Sequence, residues 1–596
     1  QSSTEFWRIG ANGLDAFAGL NGPAINSEAL GFALSDVAFG LGFAREIGTD
    51  RSWLSLKATA ATAVQVGMEA VDIELSGRNL SVSINTGHAQ SITSTEDTVI
   101  NYAVSPVGVE TPDSIGVEGD GFNLDFSGND GKLLVIAGSF DLRVGHFFYA
   151  NGSLGFQKSS KTVTLADGTV VSTDMLTVGG TNLNAFAGIN GPYLVDTNNN
   201  GVIDEGDTTN NRAIGLSLGG VEFGLAILAP KAGQAQVAGL RWTSLTATAE
   251  SVDFLGIPSV TINARNLAVD INLVGGVQGE MDPASRVIDF AVEPLNIVSG
   301  TGKTVPLDLP GSKGRLVRVS GDFNLAVGDF FYVGGSLGFE KSSVSLALAD
   351  GTAVEMEALN MGGSDLTAFV GINGPYLSDT NNDGVINSSD TPNPDARGLS
   401  LSGVEFALTL LAPKPGQAGV EGMSWTALEA SVGSAKVLGI PSVVRMTPSD
   451  VFVSINRVDG VGEGVDPDTR VVDFEATPLE IVTGTGKSHI IDLPGTRGEL
   501  TRAGGSFELA VSDFFFVTGS LGFEKSSRTV SLANGTSVNA DVIAIGGTGL
   551  DAFAGINGPY EIDSNGDGVV DARDVPSARA KGLVLDDVEF GLAIVY

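Results

Sequence analysis

Three stretches of this chain place oxygen-bearing side chains at a spacing that can wrap a hard cation. The first carries Asp196, Asn198, Asn200, Asp204 and Asp207, with Gly201 and Val202 between the third and fourth of these. The second sets Asp379, Asn381, Asp383, Asn387 and Asp390 around Gly384 and Val385; the third sets Asp563, Asn565, Asp567, Asp571 and Asp574 around Gly568 and Val569. In each, side-chain oxygens fall at positions 1, 3, 5, 9 and 12 of a twelve-residue loop. The main-chain carbonyl of Val202, Val385 or Val569 adds a ligand at position 7. Calcium takes about six to eight oxygens at about 2.3–2.6 Å, and this spacing turns them towards one point. Glycine at position 6 permits the sharp bend, and the aliphatic residue at position 8 (Ile203, Ile386 or Val570) ties the loop to a core. Asp, Asn and Gly also crowd into ordinary turns, but ordinary turns do not repeat this register in three places. The expectation is three Ca2+ sites.

The elements that carry these loops must repeat as well. Gly-Ile-Asn-Gly-Pro-Tyr runs into each loop, starting at Gly188, Gly371 and Gly555, and a fourth copy, Gly19-Leu20-Asn21-Gly22-Pro23, stands near the start. Phe147-Phe148-Tyr149 returns as Phe330-Phe331-Tyr332 and Phe514-Phe515-Phe516, and Trp242 and Trp425 share one place in the period with Trp53. Repetition at this length is the signature of an array. Four parts follow: residues 1–45, a partial repeat without the metal loop, then 46–229, 230–412 and 413–596, carrying the loops 196–207, 379–390 and 563–574 respectively. In the first copy Asn26-Ser27-Glu28 cannot supply five ligands, so the loop is a module that can be absent.

Within a repeat the period is two. Leu245-x-Ala247-x-Ala249 and Leu267-x-Val269-x-Ile271 alternate, as one buried and one wet sheet face require. Asp167-Gly168, Asp350-Gly351 and Asn534-Gly535 are tight-hairpin signals. Pro258 and Pro441 mark turns or edge positions, and no helical stretch of useful length is apparent. The fold class is all-β. The favoured architecture is an elongated tandem-repeat β-solenoid-like array with hairpins; the alternative is a string of antiparallel β-sandwich domains.

The metal loop resembles the EF-hand type, and its terminal Asp is most similar to the dockerin version. Strand-like sequence follows it here, so the resemblance implies the metal chemistry and not the dockerin partner. The phrases Gly-Ser-Leu-Gly-Phe, Ala-Phe-Ala-Gly-Ile-Asn-Gly-Pro-Tyr and Asp-x-Asn-x-Asp-Gly resemble repeats of very large acidic bacterial exoproteins of the adhesin-like, hemolysin-type class. That resemblance implies export and an extracellular or cell-surface role.

Composition agrees with such a setting. The 596 residues carry a formal net charge of -37, 81 Gly and no Cys. A polyanion would meet a net-negative surface, which argues against nucleic acid as a partner. No apolar run reaches the length of a transmembrane segment, and there is no thiolate site.

Other signals are weaker. Gly300-Thr-Gly302-Lys303-Thr304 and Gly484-Thr-Gly486-Lys487-Ser488 end like a phosphate-binding loop, but Ile297 and Ile481 stand where its first glycine belongs, so these read as turns. The Trp register reads as packing rather than a sugar platform. No catalytic constellation appears, so the chain is expected not to be an enzyme. The expected function is structural: a calcium-stiffened rod of a bacterial surface fibre, sheath or adhesin stalk. Its partners would be copies of itself joined head-to-tail into filaments, or neighbouring repeats of a longer chain. A glycan- or cell-binding adhesin module and a carbohydrate-active enzyme are the alternatives. A stalk repeats its exposed residues uniformly, whereas a binding site breaks the repeat in one unit.

Overall fold

A computed structural model of the chain describes all residues except 1–2, 68–72, 89–97, 112–120, 196, 198–206, 257–259, 278–281, 379, 381–385, 387–389, 440–443, 563 and 565–573. Pro258 and Pro441 thus lie outside the described residues. The described chain is almost all β, with short 3-10 turns as its helical content. It divides into two compact units, residues 1–257 with 265–317, and residues 258–264 with 318–596.

In the first unit the long strands Thr4–Leu20, Leu30–Glu46, Ser52–Val66, Ile73–His88, Leu133–Val144, Phe148–Thr164, Val170–Ile189, Ile214–Pro230 and Arg241–Leu255 each pair antiparallel with the next. In the second unit Phe331–Ala347, Ala353–Ile372, Arg397–Pro413, Ser424–Leu438, Val444–Asp459, Leu500–Val511, Phe515–Ser531, Ser537–Ile556 and Lys581–Val595 do the same. The tandem array is therefore built of antiparallel neighbours in chain order. Its hairpins close where the sequence signals them: Gly168 donates to the Leu165 carbonyl and Gly351 to that of Leu348, with both glycines at positive φ. The Asp167 and Asp350 carboxylates cap these turns through the N–H groups of Thr169 and Thr352. Burial alone would raise the Asp350 pKa, but the Thr352 hydroxyl and N–H and the Arg470 guanidinium hold it below the ordinary value.

A second layer lies over each sheet. The hairpin Leu295–Gly300 with Lys303–Leu307 packs on the strands holding Gly155 and Gly179. In the second unit Leu479–Gly484 with Lys487–Ile491 packs on those holding Gly338 and Gly362. Near the start of the chain Val107–Val109 with Phe122–Leu124 covers Gly10 and Gly40. The glycines are needed because the covering backbone lies where a side chain would be: a Cβ at Gly338 would sit 2.3 Å from the Val482 carbonyl oxygen. Such closeness is a recognised reason for glycine inside a strand.

Between sheet and cover lie the cores. One gathers Leu348, Val354, Met356, Leu411 and Trp425 from the strands with Val471, Phe474, Ile481 and Leu493 from the cover. Its counterpart gathers Leu165, Val171, Met175, Leu228 and Trp242 with Val287, Phe290, Ile297 and Leu309. Trp242 and Trp425 are fully buried, and their indole N–H groups donate to the Arg286 and Arg470 carbonyls at 2.7 and 2.6 Å. Trp53 donates to the Thr98 carbonyl in the same way, at 3.0 Å. The Trp register is packing, as its spacing implied.

Candidate functional site

Each twelve-residue loop is gripped at its base by a two-residue strand pair. Leu194–Val195 pairs with Thr208–Thr209, Leu377–Ser378 with Thr391–Pro392, and Glu561–Ile562 with Val575–Pro576. The residue just beyond each pair seals it: Asn210, Asn393 and Ser577 donate backbone N–H groups to the carbonyls of Tyr193, Tyr376 and Tyr560, all at 2.6 Å. The Gly-Pro-Tyr phrase therefore forms one jamb of a narrow doorway, and the end of the loop forms the other.

The described part of the loops closes identically three times. The position-12 carboxylate accepts from the N–H of position 2: Asp207 from Thr197 at 3.2 Å, Asp390 from Thr380 at 3.1 Å and Asp574 from Ser564 at 2.9 Å. Asp390 and Asp574 are buried. A charge held away from water needs partners, and these carboxylates have the loop's own backbone. In the third repeat the position-8 residue, Ile386, packs against the cluster of Tyr332, Phe369 and Ala396, together with Tyr376 and Leu438. This is the anchoring role its position predicts.

The other expected ligands lie outside the described residues. They are Asp196, Asn198, Asn200, Val202 and Asp204; Asp379, Asn381, Asp383, Val385 and Asn387; and Asp563, Asn565, Asp567, Val569 and Asp571. Among the described residues no group of three or more His, Cys, Asp or Glu could hold a metal ion. The parts that are described fit a cation loop: both ends meet, a carboxylate turns inward at position 12, and an aliphatic side chain anchors position 8.

Beside the first loop is a cavity of about 330 Å³, lined by Tyr149, Tyr193, Asp207, Glu250, Asp253 and Arg265 among others. Arg265 reaches both carboxylate oxygens of Asp253, at 3.1 and 3.0 Å. Burial first, then the neighbouring Asp141 carboxylate, push the Tyr149 phenol well above its usual range, so it stays protonated. The third repeat has Gly433, Lys436 and Pro448 where Glu250, Asp253 and Arg265 stand. This cavity breaks the repeat.

In the fourth repeat three carboxylates meet instead. Asp551 Oδ1 accepts the N–H of Asp587 at 2.7 Å, as Asn184 accepts that of Gly220 at 3.1 Å in the second repeat. Burial, then the nearby Asp586 and Asp587, raise the Asp551 pKa. A carboxyl with a raised folded pKa destabilises the fold when ionised, and stability returns as pH falls through that pKa. Asp551→Asn keeps the acceptor and removes the charge. It is expected to raise stability at pH 7 by roughly 0.2–1 kcal/mol and to flatten this part of the acid-side pH profile. Thermal melts of both forms between pH 7 and pH 4 check this; a gain that persists at low pH would point away from charge.

The Gly-Thr-Gly-Lys phrases are hairpin turns, as expected, but they also do something that sequence reading missed. Thr301 Oγ1 donates to the Asn79 carbonyl at 2.6 Å, and Lys303 reaches Ser153 Oγ at 3.4 Å. In the second unit Thr485 pairs with Ser320 at 3.1 Å, and Lys487 binds Ser336 and Asp365 at 2.9 and 3.0 Å. They are latches that fasten the covering hairpin to the sheet. Their one signal was recurrence at the repeat period. Comparison of the chain with family models, with curated proteins and with solved structures finds no match.

Proposed function

We propose that this chain is an extracellular structural repeat protein, a calcium-stiffened element of a bacterial surface fibre, sheath or adhesin stalk, with no catalytic role. The observation that carries the reading is the third loop, in which Ile386 is anchored in the Tyr332 cluster while Asp390 closes onto Thr380. Positions 8 and 12 are thereby held, and position 12 is tied to position 2 at the start of the loop. Asp379, Asn381, Asp383, Asn387, Asp390 and the Val385 carbonyl would hold the ion, which supplies charge neutralisation and a rigid cross-link rather than reactivity. Fixing the loop also fixes the strands on either side, Ala353–Ile372 and Arg397–Pro413.

Binding to the folded state alone stabilises by about 2.7 kcal/mol per site when free calcium is a hundredfold above Kd. The melting temperature should therefore climb with calcium and fall back on adding chelator. A melting curve indifferent to chelator would sink the metal assignment.

A second reading, a glycan-binding adhesin module, is favoured by the cavity of the second repeat alone. Tyrosine faces, a fixed Asp253–Arg265 pair and Glu250 offer the apolar surface and directed polar groups of a small-ligand site. Replacing Asp253→Lys, after the third repeat, should abolish any retention on immobilised oligosaccharides. Equal retention of both forms would remove this reading.

A further inference from the structure

We propose that a second cavity in the first unit is a binding site for a sulfate or phosphate ester carried on a small polar molecule such as a sugar. It is lined by residues of the strands Ile73–His88, Leu133–Val144, Phe148–Thr164 and Val170–Ile189, and by Lys303 of the covering hairpin. The inference rests neither on the calcium reading nor on the Asp253–Arg265 cavity, with which this one shares only Asn184 among its lining residues.

The cavity has a volume of about 360 Å³, and every residue lining it belongs to the first unit. Such a volume accommodates an ester group together with a ring of sugar size. Two cations line it, Arg78 and Lys303, and no carboxylate does among the described residues. In a chain with a formal net charge of -37 that is a local reversal of sign. The Arg78 guanidinium gives one N–H to Asp141 at 2.7 Å and makes no other hydrogen bond among the described residues. A guanidinium has five N–H donors in a planar fork, so most of this one remains for a ligand. Lys303 makes one long contact, 3.4 Å to Ser153 Oγ. Buried Asn151 and Ser153 lie deeper, and the Ser153 hydroxyl is paired with that of Ser139 at 3.1 Å. A tetrahedral oxyanion accepts from several directions at once, and its bonds to such cations are the strong, charge-assisted kind.

The following copy supplies the comparison. One repeat later Ser139 and Asn182 become Asp322 and Asp365. There Lys487 binds Asp365 at 3.0 Å and Ser336 at 2.9 Å, and the Ser336 hydroxyl donates to Asp322. The chain itself neutralises that lysine. In the first unit the lysine is kept and both carboxylates are replaced by neutral groups. Asn182 and Asp365 share the left-handed backbone conformation, with φ of 56° and 54°, so the two copies differ here in side-chain charge and not in local fold. Fastening the hairpin accounts for the lysine in both copies. It does not account for the missing acidic partners where a cavity opens beside the lysine, whereas an anionic ligand does: either carboxylate would repel it and take its place on Lys303.

The probes are glucose 6-sulfate, glucose 6-phosphate and glucose, each titrated calorimetrically against the intact chain. One or both esters are expected to bind saturably at one per chain while glucose does not, and the arm that binds names the ester. Asn182→Asp installs the pair seen at Asp365 and Lys487, and is expected to weaken that binding at least tenfold while the melting temperature is retained. Ser139→Asp, after Asp322, should do the same and carries the test if Asn182→Asp fails to fold. Failure of both esters to bind overturns the proposal. So does glucose binding as tightly as its esters, or ester binding indifferent to both substitutions.

Discussion

Gly362→Val is expected to destabilise the second unit by about 3 kcal/mol or more, and Gly546→Val to leave it almost unchanged. The two glycines hold the same place in successive repeats, Gly362 between Gly338 and Ala407 and Gly546 between Gly522 and Gly591. At Gly362 a Cβ would lie 2.6 Å from the Val482 carbonyl oxygen and 2.8 Å from the Thr483 methyl. The methyl can turn away, but the carbonyl belongs to the paired backbone of Leu479–Gly484 and cannot move without lifting the hairpin. Overpacking a well-filled core costs about 1–3 kcal/mol, and more where backbone must shift. Lifting the hairpin would also expose Ile481 and Ile491, both fully buried. Among the described residues the one atom near a Cβ at Gly546 is the Phe590 carbonyl oxygen at 3.5 Å, and valine suits a strand better than glycine does. Urea unfolding of the two variants against the parent measures the difference. Equal losses would mean that strand geometry, and not the cover, demands these glycines.

That contrast also explains which parts of the fold can be read from residues alone. Alternation in Leu245-x-Ala247-x-Ala249 is a local property, and it reports a sheet with one buried face wherever the partner strands come from. Asp350-Gly351 is equally local: the turn, its carboxylate cap and the positive φ all sit within four residues. The Trp register is legible because a large side chain recurring at the repeat period has one economical use, filling the same core. Alternation does not say whether the neighbour runs parallel or antiparallel, so the meander pairing emerges only from the structure. The covering hairpins were illegible for a different reason. Val482 meets Gly338 across more than a hundred residues, and nothing near Gly338 names Val482. Glycines whose purpose is to leave room look like composition until the backbone that fills the room is placed. The twelve-residue Asp/Asn/Gly loops fall between these cases: their spacing is a local pattern, whereas the anchoring of Ile386 on Tyr332 depends on a distant strand.

The fourth-repeat loop should bind calcium most tightly, and Asp574 should be the residue whose loss removes that phase. Its ligand positions carry four carboxylates, Asp563, Asp567, Asp571 and Asp574, against three in the second repeat (Asp196, Asp204, Asp207) and three in the third (Asp379, Asp383, Asp390). Ligand charge and loop rigidity tune such sites over several decades of affinity. Gly566 opposes this, since it costs about 0.5–1 kcal/mol more to order than the asparagines at the same position, Asn199 and Asn382. The closure of the loop works in its favour. Asp574 accepts from both the N–H and the hydroxyl of Ser564, at 2.9 and 3.3 Å, whereas the threonine hydroxyls at this position in the other loops pair with Thr208 and Thr391. An added carboxylate beside a divalent ion acts at contact distance, where the attraction is largest, and should outweigh the glycine. Two substitutions separate charge from closure. Asp574→Ala removes both and should abolish the tightest phase of a calorimetric calcium titration. Asp574→Asn keeps an acceptor for Ser564, so it should preserve the loop's closure while weakening binding about tenfold or more, the equivalent of about 1.4 kcal/mol. Should the tightest phase survive Asp574→Ala and vanish instead with Asp207→Ala or Asp390→Ala, loop rigidity rather than carboxylate number ranks these sites.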